Sequence, residues 1–183
     1  MDNSKYYFVK RKGDQAYPLV DILNLTKVKF GKEDILKVVI GKPVPSKPVM
    51  ADFLGGGGDF FDKRITDVMK SLNMEGVRFF PVELDNTKGT IYNNYECVSV
   101  EDNTYELLDK EHSDFTFSSP LYSYKKLVID REKLSEIPLN KRLGMRLREA
   151  PSYYLYHESV VDAIMELEPT GMYFQDIEEY GFY

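Results

Sequence analysis

The sequence predicts an α+β fold, a mainly antiparallel sheet with two or more flanking helices, built in a single domain. Three observations predict it. Short β-rich runs closed by turn residues recur along the whole chain, whereas helical periodicity is confined to two stretches, 61–72 and 158–168. Those two stretches, each followed by a glycine and a further β-rich run, superpose in sequence at one fixed shift. Finally, 183 residues with 43% hydrophobic and 30% charged content suit one globular unit burying roughly 70% of its unfolded surface.

From the N-terminus, KYYFVK (5–10) is a β-rich run between charges, and DILKVVIGK (34–42) is a second, closed by Gly41, Pro43, Pro45 and Pro48. The four glycines of DFLGGGGDFFDKR, residues 52–64, invite comparison with a phosphate loop. They lead into Asp59 and Asp62, with no lysine at the required spacing, and are expected to form a flexible connector. Phe61, Ile65, Val68, Met69 and Leu72 then mark one face of a helix, capped by Asp59 or Asp62 and ended near Gly76.

VRFFPVEL (77–84) and TIYNNYECVSV (90–100) read as a hairpin around DNTKG, with Gly89 in a left-handed position. TYELL (104–108) and KKLVID (125–130) follow as short strands separated by an irregular segment. Asp130 caps a single turn before the runs LGMRLRE (143–149) and YYLYH (153–157). The second helix places Val160, Ala163, Ile164 and Leu167 on one side, and MYFQDI (172–177) closes the chain as a strand.

A shift of 95 residues lays ITDVMKSLNMEGVRFFPV (65–82) over VVDAIMELEPTGMYFQDI (160–177). It matches Asp67 with Asp162, Leu72 with Leu167, Gly76 with Gly171 and Phe79 with Phe174, besides five further apolar positions. Two equivalent helix-Gly-strand units on a common sheet are expected, each glycine serving as a left-handed helix stop.

Composition narrows the function. The single cysteine, Cys97, excludes an internal disulfide framework and a multi-cysteine metal site, and it reads as a small buried hydrophobe. There is no signal-type apolar segment and no run of 18 apolar residues, so a cytoplasmic protein without a membrane span is expected. The net charge of −6 argues against nucleic acid or an anionic membrane as partner. Charge is segregated. Residues 125–148 carry eight Lys or Arg against three acids, while residues 149–183 carry eight acids, six tyrosines and no Lys or Arg. Glu166, Glu168, Tyr173, Asp176, Glu178, Glu179 and Tyr180 are therefore candidate contacts for a basic protein partner. Solvated faces that neutralise each other within the fold are the competing reading.

His112 and His157 lie in no metal-ligand spacing, and neither a metal nor a cofactor is expected. Asp109, His112 and Ser113 form a hydrolase-like trio by composition only, since triads are usually assembled from distant segments. A small hydrolase or transferase using these three residues is the alternative to a binding protein. A non-enzymatic module of a larger assembly is the third reading.

The succession of helix with VRFFPVEL, IYNNYECVSV, YELLDKEHSDF, KKLVID, LGMRLRE and a final helix with PTGMYF resembles immunity family eleven of bacterial polymorphic toxin systems. The resemblance spans residues 50–177. Its most specific parts are D-K-E-H-S (109–113) and T-G-M-Y-F (170–174), which make Asp109, Ser113, Gly76 and Gly171 family-like structural positions. It implies one immunity-protein-like domain over 1–183, with a strand and loop part to residue 50, the connector 51–58 and the family-like part 59–183. It also implies an antidote with no catalytic residue, which binds a cognate toxin stoichiometrically. A homodimer across an exposed edge such as KYYFVK is compatible with this reading.

Overall fold

A computed structural model describes residues 3–29, 34–118 and 121–179. Its elements begin with β1 (Tyr6–Arg11), β2 (Val20–Ile22), α1 (Leu25–Lys29), β3 (Leu36–Ile40), β4 (Phe53–Leu54), β5 (Asp59–Asp62), α2 (Lys63–Ser71), β6 (Arg78–Asp85) and β7 (Ile91–Ser99). They continue with β8 (Thr104–Tyr105), β9 (Asp114–Ser118), β10 (Leu121–Lys126), α3 (Arg131–Ser135), α4 (Leu139–Arg142), β11 (Gly144–Leu147), β12 (Leu155–His157), α5 (Glu158–Met165) and β13 (Met172–Asp176). The fold is α+β, with most strand pairs antiparallel, as expected. β9 pairs with β10 in a hairpin where the sequence reading placed an irregular segment. DFTFS alternates polar and apolar residues, a strand period that the reading of this segment as irregular passed over.

The expected repeat is present in three dimensions. β5 and β6 both run antiparallel to β7, which lies between them, so α2 connects two parallel strands split by a third. β12, α5 and β13 repeat this arrangement around β1. The register is the same in both units. Tyr95, Glu96, Cys97 and Val98 occupy the places of Tyr6, Tyr7, Phe8 and Val9: Asp62 faces Tyr95 as His157 faces Tyr6, and Phe79 faces Val98 as Phe174 faces Val9. Backbone details repeat too. Asn73 and Glu168 have φ of 52° and 50°, and Gly76 and Gly171 both have φ of 78°. An L side chain is disfavoured at that φ, which explains the paired glycines as helix stops.

The expectation of one common sheet is corrected. β13-β1-β12-β11-β8 form a five-stranded sheet, and β2-β3-β6-β7-β5-β4 form a separate six-stranded one. Alternation along the strands explains how two sheets share a core. Phe61 and Tyr156 point into a central cluster with Ile65 and Met69 of α2 and Val160 and Ile164 of α5. Their neighbours Phe60 and Leu155 point the other way, into two outer clusters. β12 and the middle of β5 are thereby buried on both faces, which is why FF and LY read as continuous apolar pairs.

Two further readings change. KYYFVK is no free edge, because β1 lies between β12 and β13 at the interior of its sheet. The glycine run does join β4 to β5, but it is docked and not free. Gly55 O accepts from Val20 N at 3.0 Å, and Gly57 N donates to Val20 O at 3.3 Å. A Cβ on Gly56 would lie 2.0 Å from Val20 O, so close approach to β2 requires glycine there.

Candidate functional site

The D-K-E-H-S segment folds into a turn held by its own side chains. Asp109 Oδ1 accepts the N–H groups of Glu111 and His112 at 3.0 and 3.1 Å, and Oδ2 lies 2.8 Å from His112 Nδ1. That contact holds the Asp109 carboxyl below the usual carboxylate range and the exposed His112 imidazole above the usual histidine value. Ser113 takes no part in the pair. Its Oγ accepts from Val128 N at 2.9 Å and donates to Val128 O at 3.3 Å, clasping the turn to the strand region opposite. The structure brings Asp109 and His112 together and turns Ser113 to the backbone, so the Ser113 hydroxyl is not aligned with the imidazole.

The turn forms one wall of an open cavity of about 720 Å³. Six carboxylates line it, those of Glu106, Asp109, Glu111, Asp130, Glu132 and Glu149, against Lys110, Arg131, Lys133 and His112. Asp130 caps α3 through Lys133 N and pairs with the Lys133 ammonium at 3.0 Å, which holds its carboxyl down. Glu149 Oε2 is buried without a hydrogen-bond partner.

The C-terminal candidates divide. Asp176 is buried against Lys5 Nζ at 2.9 Å, and Glu178 pairs with Arg131. Asp176 is therefore withdrawn from the expected docking face, whereas Glu178 is partly exposed beside Arg131. Glu166, Glu168 and Glu179 are exposed, as is Tyr173 at 42%. Tyr180 lies outside the described residues. The Arg131–Glu178 pair also places the chain's C-terminal region beside the acidic cavity, a proximity that sequence did not suggest.

A second constellation was not singled out as a site from sequence. Tyr156 OH donates to Asp59 Oδ2 at 3.1 Å where the two sheets approach. Burial pushes the Asp59 carboxyl up to about 7, against the opposing pull of the Tyr156 hydroxyl. Burial likewise raises Tyr156 well above the ordinary tyrosine value. The only sequence signal was an acid between a glycine run and Phe60-Phe61, which reads equally as a helix cap. Asp62 is the residue that caps α2, through Arg64 N at 2.9 Å. Cys97 is buried, as expected of a small hydrophobe.

Among the described residues, no group of three His, Cys, Asp or Glu is placed to hold a metal ion, and no helix is long and apolar enough to cross a membrane. No family model matches the chain, and no curated protein matches it significantly.

Proposed function

We propose that this chain is an immunity protein that neutralises a cognate bacterial toxin in the cytoplasm by stoichiometric binding, without a catalytic step. The observation that carries the proposal is the open acidic cavity beside the D-K-E-H-S turn. Its carboxylates outnumber its basic side chains, it adjoins the C-terminal region, and the serine of the turn is committed to Val128. An acid-rich concavity suits the basic surface of a partner, speeding association and fixing orientation. The exposed Glu166, Glu168, Tyr173 and Glu179 present the same residue types elsewhere on the C-terminal region.

The test is growth of a heterologous host expressing the product of the neighbouring gene, with and without this chain, followed by co-purification. Rescue with a stable one-to-one complex is the expected result. In the same assay, His112→Ala should keep the rescue, whereas combined Glu106→Lys and Glu132→Lys should weaken it in a salt-dependent manner. Loss of rescue on His112→Ala in a folded protein, with the charge reversals silent, would favour the enzyme reading.

A further inference from the structure

Seven arginines occur in the chain, and their partners differ in kind. Arg64, Arg78, Arg131 and Arg148 each meet a carboxylate, from Asp52, Asp102, Glu178 and Glu106 respectively. Arg142 is buried and donates through Nε to Ile137 O at 2.9 Å. Arg11 and Arg146 are half-buried and meet no carboxylate within ion-pair distance among the described residues. Arg11 Nη1 donates to Tyr17 O at 2.7 Å and Arg146 Nε to Thr104 Oγ1 at 2.8 Å, leaving each guanidinium with further N–H donors. In a chain with 30 acids, two half-buried cations without counter-ions are not explained by a shortage of carboxylates.

Both arginines line one cavity of about 590 Å³ between the two sheets. The docked glycine run, Gly55–Gly58, lies in the same lining. The Arg11 stem lies against this run, with Cβ and Cδ 3.7 Å from the position a Gly55 Cβ would take. Phe53, Tyr153 and Tyr154 add aromatic surface, and Lys10, Asp59 and Glu101 lie in the same lining, so its two carboxylates stand against three cations. A guanidinium fork is suited to an oxyanion, which it binds through two parallel charge-assisted hydrogen bonds. The volume falls within the roughly 300–1,000 Å³ typical of small-molecule sites.

We propose that this cavity binds a phosphate-bearing small molecule with an aromatic body, of nucleotide size, its phosphate held by Arg11 and Arg146 and its body against Tyr153 and Tyr154. The glycine run, read from sequence as a connector and not a phosphate loop, then serves as a cradle whose cations arrive from β1 and β11 and not from the loop's own sequence. That is why spacing rules did not find them. The site uses none of the residues assigned to toxin docking, so it stands or falls separately.

The test is titration of the isotope-labelled full chain with AMP, inorganic phosphate and benzoate at low ionic strength, followed through the amide resonances of Gly55–Gly58. AMP should shift these glycines and Arg11 at lower concentration than phosphate, which lacks the body, or benzoate, which lacks the phosphate. Arg11→Gln and Arg146→Gln should each weaken AMP at least about ten-fold while the thermal midpoint stays within a few degrees. The proposal is overturned if millimolar AMP leaves the glycine resonances of the unmodified chain unmoved, if benzoate matches AMP, or if the folded double variant binds AMP unchanged.

Discussion

The two split β-α-β units share register, helix stops and core position, yet they obtain their central strands differently. The first continues from β6 through a short turn into β7, so its central strand is local. The second ends with β13, and its central strand, β1, comes from the opposite end of the chain. Sequence similarity between Tyr-Glu-Cys-Val and Tyr-Tyr-Phe-Val is slight, but both tyrosines are almost fully buried, at 2% and 1% exposure. A pattern of buried side chains in fixed register specifies this architecture, whichever end of the chain supplies the strand. The N-terminal segment is therefore integral to the C-terminal unit, although a linear reading set residues 1–50 apart.

The largest effect should come from breaking that asymmetry. Deleting residues 1–11 removes the strand between β13 and β12, including Tyr6 and Phe8, and leaves β12 and β13 unpaired with each other. Losing two buried aromatics at about 3–5 kcal/mol each approaches the entire 5–15 kcal/mol of a typical domain. Cooperative thermal unfolding should vanish, and a synthetic peptide covering β1 should restore part of it. A truncated chain that still melts cooperatively near the original midpoint would show that the C-terminal unit does not depend on its borrowed strand.

The next comparison sets Asp59 against Tyr154, which occupy equivalent positions at the 95-residue shift. With a carboxyl raised from an ordinary value near 3.9 to about 7, the folded state retains a proton that the unfolded chain releases. The associated stability is present in full below the unfolded value and is lost as pH rises towards 7. A shift of this size corresponds to roughly 4 kcal/mol. Asp59→Asn can still accept from Tyr156, so denaturant titrations should show a flatter profile from pH 4 to 7 and a more stable protein at pH 8. If the variant follows the original pH curve, the carboxyl is not the group responsible.

Much of this fold was legible because period and punctuation coincide. Ile65 and Met69 mark the inner face of α2, Val160 and Ile164 that of α5, and Gly76 and Gly171 end both units. Unseen were features that depend on which chain segments meet. β4, β5 and the docking of the glycines on Val20 arise from close backbone approach, which leaves only glycine in the sequence. The burial of Asp176 against Lys5, and the pairing of Glu178 with Arg131, tie these two acids to distant basic residues. The Asp109–His112 contact was visible as a neighbourhood, but the commitment of Ser113 to Val128 required the opposite strand region to be in place.

The finest comparison lies at the two glycine stops, which share φ but differ in their neighbours. A Cβ at Gly76 would lie 2.3 Å from Asn103 Oδ1, and one at Gly171 would lie 2.4 Å from the Ala51 Cβ. Alanine at either position meets left-handed strain of about 1–2 kcal/mol, and relief of the clash should bring each loss to roughly 3 kcal/mol. The remedies differ. Ala51→Gly removes the colliding methyl, so it should recover part of the loss in Gly171→Ala. Asn103 donates to Glu75 O at 2.7 Å and to Gly144 O at 2.9 Å, so trimming it to glycine strands two carbonyls. It should deepen the loss in Gly76→Ala. Measured by denaturant midpoint, Ala51→Gly should therefore raise the stability of Gly171→Ala while Asn103→Gly lowers that of Gly76→Ala, at equivalent backbone positions. Equal recovery in both would mean that Asn103 fills space and does not tie the helix stop to β11.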